Sequence, residues 1–225
     1  MWWSVPFLII FPMVVGVILF CIRIQKARKA IAYVATPAII VAVIDLVVRF
    51  FAGGAVPVEL YFDTETTDMF ISVGEILLML FVVIQCFRYK KYWISLLSIV
   101  PTGMILWLEY FGPKYNQQYH IRIDYLSILM CIIVGVVGGL ITIYAMGYMD
   151  GYHHHHTEVP ERRHYFFMVV FLFLGAMFGF VLSDSLMWVD FFWETTSVCS
   201  FMLIGYTKTE EAVNNSFRAL WMNLL

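Results

Sequence analysis

Seven stretches of this chain are apolar over about 20 residues each, and the short connections between them hold most of its charge. They run about 2–22, 30–52, 69–88, 92–111, 124–147, 164–183 and 186–206, and an eighth starts near 213. The hydrocarbon core of a bilayer is roughly 30 Å thick, which about 20 helical residues cross. No water is available there to satisfy a backbone N–H or C=O, so only helices and closed barrels span it. Barrel strands would appear as alternating segments of about ten residues. This sequence shows no such alternation. The expected fold is therefore all-α, a polytopic transmembrane helical bundle of about seven complete spans plus the start of an eighth. Composition agrees: 62% of the 225 residues are hydrophobic and 13% are charged, against about half and about a quarter in soluble domains.

Orientation follows from the basic residues of alternate connections. Those containing Arg23 to Lys29, Arg88 to Lys91, Arg162 to Arg163 and Lys208 carry ten Lys and Arg, whereas the intervening ones carry only Lys114 and Arg122. Positive charge stays on the cytoplasmic side, so the N-terminus is expected outside, and the His-rich loop at 150–163 is expected in the cytoplasm. Trp2, Trp3, Trp93, Trp107 and Trp188 fall near span ends, where interfacial aromatics concentrate. Met1 to Pro6 lacks the basic stretch and cleavage site of a signal peptide, so the first span is expected to remain. No basic patch points to nucleic acid. Cys21, Cys86, Cys131 and Cys199 each stand alone in an apolar run. They read as small core hydrophobes rather than metal ligands or a disulfide framework.

One span carries charge where charge is costly. The stretch from Trp188 to Gly205 holds Asp190 and Glu194, four residues apart, a spacing that puts both on one helix face. Glu194 lies roughly 12 Å in from residue 186, counted at 1.5 Å per residue, near mid-membrane. An ionisable group at that depth is usually kept for ion or proton movement. Burial penalises the ionised form, and a proton carrier needs a carboxyl that loads and unloads near working pH. Thr195, Thr196 and Ser197 follow and offer hydroxyls to it. The competing reading makes Asp190 an interfacial residue and Glu194 a neutral, hydrogen-bonded packing group.

Other charges are weighed the same way. Asp45 and Arg49, four apart near the outer end of the second span, read as a structural ion pair. Glu75, a third of the way into the third span, is either a second ionisable site or a subunit contact. Glu109 is close enough to a helix end to be wetted, and Arg218 is either a counter-charge or a snorkelling cation. His153 to His156 cannot all point at one ion, so a solvated loop that touches a partner is favoured over a metal site, and no metal is assigned. Gly135, Gly138 and Gly139 permit close helix approach.

From Asp124 onward the chain resembles the antiporter-like subunits of respiratory complex I and its relatives. Asp124-Tyr-Leu-Ser127 opens a helix and Tyr144-Ala-Met-Gly-Tyr-Met149 closes it. Arg163-His-Tyr-Phe-Phe167 begins the next span, which ends in Val181-Leu-Ser-Asp-Ser-Leu186; Trp193-Glu194 and Cys199-Ser-Phe-Met-Leu-Ile-Gly-Tyr206 complete the set. The His-rich loop ending Pro160-Glu-Arg-Arg163 and an extra helix pair at about 69–111 look most similar to energy-converting (Ech-type) membrane-bound hydrogenases. The resemblance implies two parts, a four-helix membrane segment at 1–111 and the N-terminal portion of the antiporter-like domain at 112–225.

It also implies a proton (or sodium) translocating subunit of a redox-driven complex, with Glu194 as the family's intramembrane glutamate and Asp190 and Glu75 as neighbours. Iron–sulfur clusters and a catalytic metal would belong to partner subunits, namely a peripheral redox arm beside other membrane subunits, in a prokaryotic cytoplasmic membrane. No cofactor is expected in this chain. The lysine with which such a glutamate works lies on a later helix not contained in this sequence, so the 225 residues are expected to be part of a longer chain. Two other functions remain open: a subunit of a multisubunit cation/proton antiporter without redox partners, and a structural membrane anchor.

Overall fold

The structure, a computed structural model, describes residues 2–22, 24–60, 64–112, 120–155 and 161–224. The side chains at 64–66, 68, 109, 110, 153–155 and 224 lie outside that description, and with them the readings of Glu109 and of the His153–His156 run. Among the described residues the fold is helical: α1 (Ser4–Cys21), α2 (Gln25–Ala52), α3 (Thr64–Arg88), α4 (Tyr92–Phe111), α5 (Tyr125–Ile132), α6 (Gly138–His155), α7 (Arg163–Leu182), α8 (Leu186–Ile204) and α9 (Glu210–Leu224). A π-helical stretch, Ile133–Val137, joins α5 to α6, and two three-residue strands, β1 (Val58–Leu60) and β2 (Ile121–Ile123), interrupt the helices.

Among the described residues, five stretches are long and apolar enough to cross a bilayer: Ser4–Cys21, Gln25–Ala52, Met69–Arg88, Tyr125–Tyr152 and Arg163–Leu182. Within α4 the apolar part, Tyr92–Leu108, is shorter. The helix α8 is not among the five; it carries Asp190, Glu194 and a run of hydroxyl residues. The outer surface has the character of lipid-facing protein. On α1, Leu8, Val15 and Leu19 are buried while Ile10, Val14 and Val17 are exposed. On α2, Ile39, Val43 and Leu46 are buried while Val34, Val41 and Val48 are exposed. A helix that is apolar on every face belongs in a core or in a membrane.

Packing divides the chain into two compact units that are not consecutive in sequence, Met1–Val58 with Arg122–Leu182 and Glu59–Ile121 with Ser183–Leu225. The first unit holds α1, α2, α5, α6 and α7 around Phe50, Phe171, Phe178, Ile39 and Leu46. Its helices meet at glycines. A Cβ at Gly16 would lie 2.9 Å from the Met168 carbonyl oxygen, and one at Gly175 would lie 2.8 Å from that of Ile9. Gly135, in the π stretch, admits Val43 of α2, and Gly138 admits Leu174 of α7. At one end of this unit Lys29 donates to Asp150, and Arg163 bridges Asp150 and Glu161. That network ties the starts of α2 and α7 to the last turns of α6.

The second unit holds α3, α4, α8 and α9, closed by Val82, Cys86, Ile94, Val198, Phe201, Phe217 and Leu220. Three details depart from the sequence reading. The helix expected to close near 147 runs on to His155, where the end network supplies partners for Asp150. Cys21, the last residue of α1, is exposed, unlike the buried Cys86, Cys131 and Cys199. Trp188 is buried against the His120 ring, 5.3 Å between centroids, whereas Trp3, Trp93 and Trp107 are exposed.

The Asp124 motif acts as a helix start. Its carboxylate accepts the Ser127 backbone N–H at 2.8 Å and the Ser127 hydroxyl at 3.1 Å, the geometry of an N-cap. The Ser127 backbone N–H, with its hydroxyl and the nearby Arg122 charge, holds the Asp124 carboxyl below its ordinary range against the opposing effect of burial. A depressed carboxyl stabilises the fold above its unfolded-state value, near 4, and that contribution is lost as pH falls through the lower folded value. Asp124→Ala should therefore lower thermal stability in detergent by about 1 kcal/mol at neutral pH, and the difference from wild type should narrow in acid. Gly175→Val should cost about 1–3 kcal/mol by forcing α1 from α7. Gly147, with nothing within 4 Å of an added Cβ, is the control: Gly147→Ala should leave the melting temperature unlowered.

Candidate functional site

In the second unit, α8 begins at a pinned corner. The Asp184 N–H donates to the His120 carbonyl at 2.9 Å, and the His120 N–H donates to the Leu60 carbonyl at 3.4 Å. Ser183 also pairs with Ile121 in an isolated bridge. His120 is buried, and its ring packs on Trp188, which in turn meets Phe192 edge-on. The start of α8 is thereby fixed ahead of Glu194.

Asp190 is half-buried and Glu194, one turn further, is buried. The hydroxyls that follow do not serve Glu194. Thr195 Oγ1 donates to the Phe191 carbonyl at 2.8 Å, Thr196 Oγ1 to that of Trp193 at 2.8 Å, and Ser197 Oγ to the same Trp193 carbonyl at 3.0 Å. Each hydroxyl turns back onto its own helix, as Ser and Thr do where water is scarce. The group beside Glu194 comes instead from α4. Thr102, 1% exposed, places its Oγ1 3.2 Å from Glu194 Oε1 and 2.8 Å from the Ser98 carbonyl oxygen.

Glu75 belongs to the same neighbourhood. It is fully buried on α3, which runs beside α8. Ser72 Oγ lies 4.0 Å from Met187 Sδ, and a Cβ added to Gly74 would meet the Phe191 ring at 2.6 Å. That register puts Glu75 level with the turn of α8 that carries Asp190 and Phe191. Glu194, Asp190 and Glu75 thus all belong to the second unit. Asp45 and Arg49 belong to the first, where Arg49 Nε donates to Asp45 Oδ2 at 2.7 Å within α2. Arg218 is exposed on α9 and is no buried counter-charge. Among the described residues no cluster of three or more His, Cys, Asp or Glu could hold a metal ion.

Thr102 and His120 carried no signal in the sequence reading. Thr102 follows Pro101 inside an apolar run, where a threonine is unremarkable, and His120 precedes the strand Ile121–Ile123 without any motif.

A predominantly helical fold with several long apolar helices and an apolar outer surface is that of a multi-pass membrane protein. Residues 107–160 match the family model of NADH-ubiquinone oxidoreductase (complex I), chain 5 N-terminus. The chain is also 32% identical over 123 residues to Na(+)/H(+) antiporter subunit A1 of Staphylococcus haemolyticus (strain JCSC1435). It is 28% identical over 127 residues to the protein of the same name from Staphylococcus aureus (strain bovine RF122 / ET3-1). These alignments take in 54% and 53% of this chain and 14% of each relative. Over these residues the chain is similar to the antiporter-like membrane subunits of the complex I superfamily.

Proposed function

We propose that this chain forms part of an ion-translocating subunit of a multisubunit cation/proton antiporter, with Glu194 as the group that takes up and releases the proton. The observation that carries the reading is the burial of Glu194 in α8 with a single protein hydroxyl, Thr102, beside it among the described residues. A carboxylate in such a place is expensive to keep unless its charge is used. Asp190, one turn toward the start of α8, and Glu75 on α3 lead from the pinned end of α8 toward Glu194. The relatives named Na(+)/H(+) antiporter subunit A1 favour this reading over the redox-driven one that the sequence resemblance put first. In it α4 and α8 cross the membrane with the five longer stretches, and the N-terminus faces outward.

The complex I chain 5 match keeps a redox-driven complex as the second reading. There the same Glu194 chemistry would be coupled to electron transfer in partner subunits that hold the iron–sulfur clusters and the catalytic metal. Purification of the native complex separates the two: cluster-bearing subunits would favour the second reading, and their absence the first.

The translocation role itself is tested in membrane vesicles containing the intact complex, by following proton movement driven by an imposed cation gradient. Glu194→Gln should reduce that movement to background while the complex still assembles. Normal movement in the variant would overturn the assignment of Glu194 and leave the chain as a membrane anchor. Glu75→Gln should slow transport without abolishing it, since a neighbouring carboxyl shortens the path rather than ending it.

A further inference from the structure

We propose that Thr102 is a positioning residue whose single hydroxyl proton is shared between the Ser98 carbonyl and the Glu194 carboxylate, so that α4 responds to the protonation state of Glu194. The inference deepens the reading of Glu194 as the proton carrier and rests on it. Thr102 Oγ1 has two acceptors in reach, Ser98 O at 2.8 Å and Glu194 Oε1 at 3.2 Å. A hydroxyl has one proton to donate and lone pairs to accept with. With Glu194 protonated, the carboxyl donates to Thr102 Oγ1 and Thr102 donates to Ser98, and every group is satisfied. With Glu194 ionised, the carboxylate has no proton to give, and the Thr102 proton turns to it, since a bond to a charged acceptor is the stronger one. Loading and unloading Glu194 therefore makes and breaks the hydroxyl tie from Thr102 to Ser98.

That tie sits at the weakest point of α4. Pro101 precedes Thr102 inside the helix and has no N–H to give the carbonyl one turn back, so the backbone ladder is already broken there. A threonine hydroxyl bonded to the carbonyl four residues earlier biases helix bending. The proton on Glu194 and the bend of α4 are thus linked through one atom. Among the described residues, Asp190 lies one turn away on α8, Cys199 is buried further along α8 and Glu75 is buried on α3, while the charged groups of α9, Glu210, Glu211 and Arg218, are exposed.

Infrared difference spectroscopy of the purified intact complex, taken between acid and alkaline buffer, tests the assignment. The C=O band of protonated Glu194 is identified by its loss in Glu194→Gln. In Thr102→Val, which keeps the side-chain shape and removes the hydroxyl, that band should move to higher wavenumber, and transport should fall by about tenfold. Thr102→Ser should keep both near wild type. A band unmoved in Thr102→Val would overturn the role of Thr102, even if transport fell. If Glu194→Gln removed no band at all, the reading of Glu194 as the proton carrier would fail first, and this inference with it.

Discussion

Everything distinctive in this molecule follows from the cost of leaving a polar group unsatisfied where water is absent. An amide or hydroxyl moved into an apolar medium without a partner loses several kcal/mol, and a carboxylate loses far more unless something neutralises or solvates it. The helices answer the first demand by bonding every interior N–H to a carbonyl of the same segment. Thr195, Thr196, Ser197 and Ser200 answer it again, each donating to a carbonyl within its own turn. Glu194 cannot be answered locally. Its own helix has already committed the hydroxyls that follow it, so its donor has to arrive from a neighbour, and that neighbour is α4.

The two units solve their packing differently. In the unit built from α1, α2, α5, α6 and α7, close approach depends on glycines set against backbone or branched side chains, as at Gly175 against Ile9 and Gly135 against Val43. Lipid is as apolar as leucine, so helices gain by fitting rather than by hiding from solvent. The charges of this unit pair off near helix ends, Asp150 with Lys29 and Arg163, and Asp45 with Arg49. In the unit built from α3, α4, α8 and α9, the closing residues are Val198, Phe201, Phe217 and Leu220 with Val82 and Cys86. That unit instead buries two carboxylates, Glu75 and Glu194.

Much of this was legible in the sequence because the membrane writes in long runs. Apolar stretches separated by charged connections mark out helices whatever their partners, and the expected stretches are helical here, although the one at 124–147 holds a π-helical stretch and runs on to His155. The Asp124-Tyr-Leu-Ser127 helix start came from the family resemblance, and the structure shows its cause in a cap between residues three apart. The pairing of Asp45 and Arg49 was legible from their i, i+4 spacing alone. What lay beyond reach was every contact made between helices. Nothing in the order of residues says that Thr102 meets a carboxylate 92 positions later, or that Trp188 lies on His120 instead of at an interface. The hydroxyls at 195–197 misled for a related reason: adjacency in sequence placed them near Glu194, while the scarcity of water turned them toward their own carbonyls.

The helix pair α3–α4 is where the fold and the proposed chemistry meet. A pair added only to widen a bundle would be expected to present apolar side chains inward and nothing else, since each buried polar group carries a desolvation cost. This pair instead buries Glu75, Ser72, Ser98 and Thr102, and Ser72 and Thr102 reach Met187 and Glu194 of α8. Gly74 brings α3 so near Phe191 that a methyl group would collide with the ring, and that approach holds Glu75 at the level of Asp190. Pro101 weakens α4 one residue before the hydroxyl that reaches Glu194. Polar residues buried beside the carboxylates of α8, with a glycine and a proline shaping the backbone nearby, fit the pair to be a wall of the proposed ion site rather than packing material.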